Sequence, residues 1–369
     1  MDFGFSHCYH LHLSLLPWHT GSFSEKLAIA YKMMREAGAT SFRPHVHWNR
    51  VQPLIFNPEL TVRDVTDGMI EEYVSGTKGV YWEETDLMVK NMVSAGINPF
   101  LCLAAAYQHQ VPLAQYRGAI VRMDDGPISN QWYLGSIYLH ARAVVRRYKG
   151  YCKRWQLENE LNGAVSQRIL YRWRKGNRWL SGKFREELMD VLYNAVKEED
   201  PDAQTAHNFC FDFSTLQLSF DWRKPIRPWS RYIDIIGYDP FPNYLKGNPI
   251  KIRDEMKRGV DLIRSLGYDK RLYILEDGIP VLPAKNGFSE QVQADYIKEL
   301  LDAAEENKLD GVFYYCFSSQ EGAPGSEWHK TLPMHVVEDW WGLIRSDGTS
   351  RPAYDYLVKR NLEKAGGSG

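Results

Sequence analysis

Short apolar runs rich in β-branched and aromatic residues alternate along the chain with segments that have the periodicity of amphipathic helices. In such helices apolar residues recur at i, i+3, i+4 and i+7, whereas a buried strand is a short continuous apolar run. The clearest helical stripes start at Leu27, Ile252 and Val292. The pattern predicts eight strands, which are Phe3–Tyr9, Ser41–His47, Pro99–Ala105, Arg154–Glu160, Thr205–Phe211, Tyr232–Tyr238, Leu272–Glu276 and Gly311–Phe317.

The order of these elements indicates the fold class. Strands that alternate with helices favour parallel βα units, and eight such units close most economically into a (β/α)8 TIM barrel of the α/β class. The links from helix to strand are short and contain glycine, as in Ala37–Thr40 and Ala95–Asn98. The links from strand to helix are long, as in Trp48–Tyr81 and Ser318–Thr349. A barrel carries its active site on the face that those long links form.

The chain has no repeat, low-complexity linker or shift in composition that would divide it into domains. Residues 1–365 are therefore predicted to form a single barrel domain with long loops on one face. The unit after the fifth strand is the least regular, because Ser214–Ser230 contains Pro225 and Pro228 and lacks a helical stripe. Residues 366–369 read Gly-Gly-Ser-Gly, which indicates an appended linker outside the fold.

Composition and charge exclude several classes of protein. There are 45 basic and 46 acidic residues, so the formal charge of −1 produces no field that would attract nucleic acid. Of the residues, 44% are hydrophobic and 13% are aromatic. These fractions are typical of a folded domain and exclude a disordered chain. Because no apolar run reaches the ~20 residues that span a bilayer, no membrane partner is expected.

The cysteines and the first residues bear on the compartment. Five scattered cysteines, without a CxxC motif, favour neither a disulfide framework nor a thiolate zinc site. The stretch Met1–Leu16 lacks the basic n-region of a signal peptide and is interrupted by polar residues. A cytoplasmic protein is expected, and a secreted protein with its signal removed would have the same sequence features.

Two of the predicted strands end on a carboxylate. Glu160 ends the fourth strand and Glu276 ends the seventh. An ionised group there is costly unless it faces a cleft or is paired, and strands four and seven lie across the barrel mouth from each other. Two opposed carboxylates are what glycosidic cleavage requires, one to protonate the leaving oxygen and one to meet the developing positive charge. A pair of strand-end salt bridges is the alternative interpretation.

Three stretches carry motifs, which are Trp-x-x-x-Asn-Glu at 155–160, Glu-Asp-Gly at 276–278 and Phe42–Pro53 with its Arg43. They resemble the retaining β-glycosidases of glycoside hydrolase clan A, most closely the β-glucosidases and β-galactosidases of family 1. That family has W-x-x-x-N-E on strand four, T-E-N-G on strand seven and R-F-S-x-S-W-x-R-x-x-P on strand two. The resemblance implies a barrel hydrolase that acts on a glycoside or oligosaccharide with retention of configuration, and without a cofactor or a metal.

The resemblance also implies roles for particular residues. Glu160 would be the general acid/base and Glu276 the nucleophile. Asn159 would hydrogen-bond the 2-hydroxyl of the sugar, and Arg43 would lie beneath Glu276. These roles agree with the physical chemistry, since a cation beside a carboxylate favours the ionised form that a nucleophile needs. Arg43 could equally serve as a salt bridge inside the barrel.

Four further positions are candidates for substrate binding or support. Tyr315 stands where family 1 has a tryptophan under the sugar, and His109 lies near the position of the sugar-binding histidine of strand three. Tyr238 is the candidate for the tyrosine that supports the nucleophile. Trp341 belongs to a tail, Trp341–Ile344, that is similar to the ending of the family.

Glu158 is an alternative to Glu160 as the acid. The two residues share strand parity, so Glu158 could also point into the barrel, where it could pair with an arginine. Placement alone does not separate the two, and the preference for Glu160 depends on the motif.

The histidines support a rival hypothesis, a metal-dependent barrel hydrolase. His10 and His12 form one His-x-His pair and His45 and His47 form another, and such pairs ligate metals in barrel hydrolases. The other ligands of that chemistry are missing on strands four, six and eight, so no metal is expected. His45 and His47 are instead predicted to be one sugar-binding group and one packed histidine, in either order, and His45 is the candidate retained for the site.

Two further functions stay open from the sequence. An endo-acting glycanase or mannanase of the same clan would use the same carboxylates in an open cleft. A carbohydrate-binding barrel without catalysis would belong to a different class, and it would not need two intact carboxylates. Neither the sugar, the linkage nor the oligomeric state follows from the sequence.

Overall fold

A computed structural model describes residues 1–7, 15–77, 79–103, 110–163, 178–210, 223–243, 248–282, 286–319 and 339–366. Eight strands form a closed barrel in which every strand is parallel to both neighbours. The strands are β1 (Asp2–His7), β2 (Ser41–Pro44), β3 (Asn98–Cys102), β4 (Arg154–Gln156), β5 (Gln204–Cys210), β6 (Ile235–Asp239), β7 (Arg271–Asp277) and β8 (Gly311–Tyr315). Each strand follows its predecessor around the barrel, and β8 closes it by pairing with β1. The predicted (β/α)8 barrel is confirmed.

Helices surround the barrel and cover its outer face. They are α1 (Phe23–Glu36), α2 (Trp48–Val51), α3 (Asp67–Val74), α4 (Glu83–Ser94), α5 (Asn130–Tyr148), α6 (Gly182–Glu199), α7 (Arg223–Trp229), α8 (Ile252–Ser265), α9 (Glu290–Glu306) and α10 (Pro352–Gly366). The stripe predicted from Leu27 is the buried face of α1, and the stripe predicted from Ile252 is the buried face of α8. A capping box starts α1, because the Ser22 hydroxyl accepts the N–H of Glu25 while the Glu25 carboxylate accepts the N–H of Ser22.

Two details of the fold differ from the sequence prediction. Helix α10 includes Gly366, which was assigned to the linker, because a helix end can extend by a residue or two beyond the last apolar position. The long links after β2 and β3 also contribute a small sheet of three strands, Leu54–Ile55, Leu113–Tyr116 and Ala119–Arg122. Most residues of these three strands are exposed or half-buried, so the strands form no continuous apolar run that the sequence pattern would reveal.

The barrel interior changes from apolar to polar along the strand direction. Its apolar layer consists of Phe100, Ala206, Ile235, Tyr273, Leu275 and Phe313. The polar residues that follow on the same strands, such as Asn208 and Asp239, lie towards the carboxyl ends. The apolar layer therefore closes the barrel below and leaves a polar chamber at the mouth, which is the end where barrels carry their active sites.

No helix in the described ranges is both long enough and apolar enough to cross a membrane.

Candidate active site

Arg43 lies at the centre of the polar chamber and is fully buried. Its Nη1 donates to Glu276 Oε1 at 2.5 Å and to Ser6 Oγ at 2.6 Å. Its Nε donates to Gln156 Oε1 at 2.5 Å, and its Nη2 donates to Asn159 Oδ1 at 2.7 Å. A buried guanidinium must be paired and hydrogen-bonded, and Arg43 meets that condition on all sides. It joins the end of β7 to the end of β4, in contact with Glu276 as the resemblance implied.

An irregularity in β7 turns Glu276 into the chamber. Side chains alternate along a regular strand, so Tyr273 and Leu275, which face the interior, would be followed inside by residue 277. The pairing register between β7 and β8 shifts between Ile274 and Asp277, and this shift interrupts the alternation. Glu276 consequently points inward to Arg43, and Asp277 points outward to α9.

Asp277 is a buried carboxyl group on the outer side of β7. The Tyr296 hydroxyl of α9 donates to its Oδ2 at 2.7 Å, but burial dominates and raises the pKa of Asp277 to about 8, well above the ordinary value of an aspartate. The native state therefore holds a proton that the unfolded chain releases at lower pH. The stability that this group contributes is fully present below about pH 4 and is lost as the pH rises through 8.

Replacing Asp277 by asparagine should remove this dependence on pH. We expect the free energy of unfolding of Asp277→Asn to exceed that of the unaltered protein at pH 9 by at least about 1.4 kcal/mol, the equivalent of one pKa unit. The difference should shrink towards pH 5, because both side chains are then neutral in the folded protein. Denaturant unfolding at pH 5, 7 and 9 measures the difference in the free energy of unfolding between the two proteins. A difference that stays constant across the three pH values would contradict the prediction.

Glu160 lies just beyond the end of β4, where the backbone leaves the barrel. Its φ of 43° is in the left-handed region, which is unusual for a residue other than glycine. Its N–H donates to Asn208 Oδ1 at 2.8 Å, so a side chain of β5 holds this conformation. Glu160 is half-buried.

Three carboxyl groups act on the same thiol, which indicates that they lie near one another. The pKa of the Cys210 thiol, at the end of β5, is raised well above its ordinary value by burial first and then by Glu160, Asp239 and Glu276. A single thiol that responds to all three carboxyl groups lies within range of each of them. The carboxylates predicted at the ends of β4 and β7 thus share one region of the barrel mouth.

Glu158, the alternative acid, is in a different environment. It is fully buried, and its Oε1 accepts the N–H of Asn159 at 2.9 Å. Its backbone carbonyl accepts hydrogen bonds from Gln156 Nε2 and from a ring nitrogen of His207. Because β4 ends at Gln156, the strand parity that Glu158 shares with Glu160 does not apply to them. Burial and local bonding are typical of a structural residue.

Among the buried polar residues of the chamber that were absent from the sequence prediction are Asn208 and Asp239. Asn208 of β5 bonds the N–H of Glu160, as described, and donates from Nδ2 to Asp239 Oδ2 at 2.5 Å. Asp239 of β6 accepts the N–H of Glu276 on its Oδ1 at 2.9 Å. The pKa of Asp239 is raised well above its ordinary value by burial and then by the charges of Glu276 and Glu160. An acidic residue at the end of a predicted strand, in Gly-Tyr-Asp-Pro, was the only signal for Asp239.

The structure places Tyr238, the predicted support of the nucleophile, against α8. The Tyr238 hydroxyl donates to the backbone carbonyl of Glu255 at 3.2 Å, and its ring packs so closely on α8 that a Cβ atom at Gly259 would lie 2.3 Å from it. Neighbouring residues of a strand face opposite sides, so it is Asp239 that faces the chamber and bonds the N–H of Glu276.

Aromatic residues form one wall beyond the end of β8. Tyr315 and Trp341 have ring centroids 5.8 Å apart at 72°, and Phe241 lies 5.3 Å from Trp341 and 6.1 Å from Tyr315. A Cβ atom at Gly278 would lie 2.1 Å from the Tyr315 carbonyl, so the chain after β7 can approach this wall only with glycine at that position. Tyr315 and Trp341, both predicted for the site, are thus brought together, and Phe241 was missed.

The predicted histidines have different outcomes. His45 is buried next to the end of β2, and burial, followed by Arg43, His47 and His7, lowers its pKa well below the usual range, so its imidazole is neutral. Neither ring nitrogen of His45 has a hydrogen-bond partner among the residues that the structure describes. The predictions for His109 and for the pair at 10 and 12 lie outside those residues.

The metal hypothesis finds no support in the described part of the chain. There, no group of three or more histidine, cysteine, aspartate or glutamate side chains is arranged to hold a metal ion. His207, a possible ligand on β5, uses one ring nitrogen to bond the Glu158 carbonyl and packs against Phe209 and Trp229. Burial lowers its pKa to about 3, so it is a neutral packed histidine.

Comparisons with known proteins support the fold. No protein-family model and no curated protein sequence matches the chain. Its structure is similar to a β-glycosidase from the hyperthermophile Thermosphaera aggregans, with a TM-score of 0.69 and 13% identity over 98% of this chain and 95% of that one. It is similar to a hyperthermophilic β-glucosidase from Pyrococcus furiosus, with a TM-score of 0.67 and 14% identity over 98% and 95%.

A third similar structure is an exo-β-1,4-mannosidase from an Opitutaceae bacterium, with a TM-score of 0.63 and 15% identity over 100% of this chain and 60% of that one. At identities this low the likeness establishes the fold alone. The likeness agrees with the (β/α)8 barrel predicted from the sequence.

Proposed function

We propose that this protein is a retaining glycoside hydrolase that cleaves β-glycosidic bonds by double displacement. The observation that carries the proposal is the buried Arg43, which pairs with Glu276 and also bonds Asn159. Through these contacts the ends of β7 and β4 are joined in one polar chamber, with Glu160 directly after Asn159. The barrel fold shared with β-glycosidases gives further support.

In the first step the Glu276 carboxylate attacks the anomeric carbon while Glu160 gives its proton to the leaving oxygen, which breaks the glycosidic bond and forms a glycosyl ester. In the second step Glu160 takes a proton from water, the oxygen of that water attacks the anomeric carbon, and the ester bond breaks. Two inversions at one carbon give overall retention. Glu276 would act as the attacking anion because Arg43 donates to its Oε1.

The hydrogen bonds of Asn159 decide how it would meet the sugar. Arg43 has only donors, so the atom of Asn159 that faces it must be the oxygen, and Asn208 Nδ2 donates to the same oxygen at 2.9 Å. The amide group therefore directs its Nδ2 donors to the other side. Asn159 would donate to the 2-hydroxyl of the sugar, and that hydroxyl would act as acceptor.

Three further residues would contact the substrate. His45 is neutral and buried beside Arg43, so it can offer one donor and one acceptor to sugar hydroxyls. Tyr315 and Trp341 form the aromatic wall, and flat aromatic faces stack on the apolar C–H face of a pyranose ring. His109 stays a candidate from the sequence alone.

A trapping experiment tests the proposal. A panel of nitrophenyl β-glycosides, including the glucoside, galactoside, xyloside and mannoside, identifies an active sugar. The matching 2-deoxy-2-fluoro glycoside with a dinitrophenyl leaving group should then inactivate the enzyme and add one glycosyl residue to the peptide that contains Glu276, as measured by mass spectrometry. Label on another residue, or hydrolysis of every active substrate with inverted configuration, would overturn the assignment.

The same panel addresses specificity and the alternatives. Resemblance to family 1 favours the glucoside or galactoside, whereas activity on the mannoside alone would favour the mannosidase alternative. Release of single sugars from an oligosaccharide would indicate exo action, and release of shorter oligosaccharides would indicate endo action. Full activity after exhaustive chelation is expected, and loss that returns with a divalent metal would favour the metal-dependent alternative.

A further inference from the structure

Five buried side chains of the chamber lie in one ring of contacts, which we call the amide–carboxyl ring. It consists of Arg43, Asn159, Asn208, Asp239 and Glu276. Arg43 bonds the Glu276 carboxylate and the Asn159 amide, Asn208 bonds Asn159 and Asp239, and Asp239 bonds the backbone N–H of Glu276. Each of the five is at most 4% exposed. The ring therefore connects β2, β5, β6 and β7 with the segment just after β4.

The orientation of every group in the ring follows from Arg43. Because a guanidinium only donates, Asn159 turns its oxygen to Arg43, and Asn208 must then direct its Nδ2 to that oxygen. The opposite end of Asn208 is its oxygen, which accepts the N–H of Glu160. Asp239 receives donors on both oxygens, from Asn208 and from the N–H of Glu276, an arrangement that a carboxylate satisfies and an amide cannot.

The two ends of the Asn208–Asp239 pair hold the two backbones that carry the proposed catalytic groups. Asn208 bonds the N–H of Glu160, whose φ is left-handed, and Asp239 bonds the N–H of Glu276, in the part of β7 where the ladder is irregular. In both places the backbone departs from regular structure, and buried N–H groups there need a partner from elsewhere.

We propose that Asn208 and Asp239 are positioning residues that together set the placement of the nucleophile Glu276 relative to the acid/base Glu160. The inference rests on the proposed function. Neither residue touches the reacting atoms in this mechanism; each acts through the backbone of its partner. A misplacement of about 1 Å between reacting groups costs about 100-fold in rate, so the pair should matter to turnover more than to substrate binding.

An exchange of the two side chains tests this directly. Asn208→Asp alone brings two carboxylates to a contact that is now 2.5 Å, and Asp239→Asn alone leaves one of two donors without an acceptor. In the double variant the carboxylate at position 208 still accepts the N–H of Glu160. The amide at position 239 then donates to that carboxylate and accepts the N–H of Glu276. The carboxylate at position 208 no longer donates to Asn159 Oδ1 and repels it, while Arg43 and Gln156 still donate to that oxygen.

We expect each single variant to lower kcat by about 100-fold or more, with KM changed by less than about threefold. The double variant should recover at least about tenfold over the weaker single variant, since residues in direct contact are not additive. Trapping with the fluoro glycoside counts the competent sites, so that kcat is expressed per folded active site. Both glycosyl transfer to Glu276 and its hydrolysis should slow, because both carboxyl groups are displaced.

A matched control is Asn243→Asp. Asn243 is also a buried asparagine near the end of β6, but its amide bonds the backbone of Ile250 at both ends and the Tyr296 hydroxyl, and these partners lie outside the amide–carboxyl ring. It should reduce thermal stability while kcat per trapped site stays at the level of the unaltered protein.

The outcomes separate the two proposals. If Glu276 is labelled but the single variants keep kcat, or the double variant is no better than the weaker single one, the positioning role is wrong and the proposed function stands. An effect confined to KM, or to the number of competent sites, would also overturn the positioning role. If the unaltered protein hydrolyses no glycoside, the proposed function fails and this inference fails with it.

Discussion

Glu276→Ala is expected to lower kcat/KM on every active substrate by about 10⁴-fold or more, with the fold retained. In the proposed mechanism this side chain forms the bond to the anomeric carbon, and among the described residues of the chamber no other carboxylate bonds Arg43. Azide or formate should restore turnover, because a small anion fits the vacated space and attacks from the same side. Its product should have the inverted configuration, since only one displacement then occurs.

The adjacent carboxyl group provides a matched control. Asp277 lies one residue away but faces α9 and bonds Tyr296, so Asp277→Asn should keep kcat within about threefold at pH 6. Kinetics on the best nitrophenyl glycoside, with the product anomer identified by NMR, measure both effects. If Glu276→Ala keeps full activity, or if Asp277→Asn shows the loss and the rescue, the inward placement of Glu276 does not serve catalysis.

Glu160→Ala should cause a defect whose size depends on the leaving group. An alkoxide from another sugar is a poor leaving group and needs the proton, whereas dinitrophenolate departs without help. We expect a loss of about 10³-fold or more on disaccharides and little change in the first step on dinitrophenyl glycosides. The glycosyl-enzyme should accumulate with those activated substrates, because the same residue must activate water in the second step.

Azide distinguishes this variant from the nucleophile variant. It should speed release from the glycosyl-enzyme of Glu160→Ala and give a glycosyl azide of retained configuration. Glu158→Ala is the matched control, since Glu158 is fully buried and bonds the N–H of Asn159. It should reduce stability without any dependence on the leaving group. The substrate-dependent defect appearing in Glu158→Ala and not in Glu160→Ala would mean that the motif match at the end of β4 is accidental.

The strands of the barrel were accessible from the sequence because their signal is local. All eight observed strands overlap the predicted ones, and the short glycine-containing links lie between helix and strand as expected. An apolar run of five to seven residues must be buried wherever it occurs, so it can be recognised without knowledge of its neighbours. The small sheet in the loops, with strands as short as Leu54–Ile55, carries no such signal.

The inward direction of Glu276 was not accessible in the same way. Regular alternation from Tyr273 and Leu275 would have placed it outside and Asp277 inside. The register shift against β8 reverses the two, and a shift between paired strands depends on both strands at once. The motif resemblance selected Glu276, the residue that points inward to Arg43, where the periodicity of β7 alone would have chosen its neighbour.

Asn208 and Asp239 were missed for a related reason. Each is a polar residue near the end of an apolar strand, which the sequence does not distinguish from a residue that faces solvent. Their importance arises from partners on other strands, Glu160 for Asn208 and Glu276 for Asp239. The placement of Tyr238 against α8 was also hidden in the sequence, because that contact requires the glycine at position 259.

The sequence by itself determined the barrel, because apolar periodicity and link length are properties of neighbouring residues. It also predicted the end of the barrel that would carry the site, and it selected Glu160 and Glu276 by the spacing of their motifs. Only the tertiary structure decided which side chains enter the chamber and how they are joined. The ring that runs from Arg43 through Asn159, Asn208 and Asp239 to Glu276 links residues up to 233 positions apart. Such contacts depend on the pairing register of several strands and on the directions of their donors and acceptors. They form only when the barrel closes.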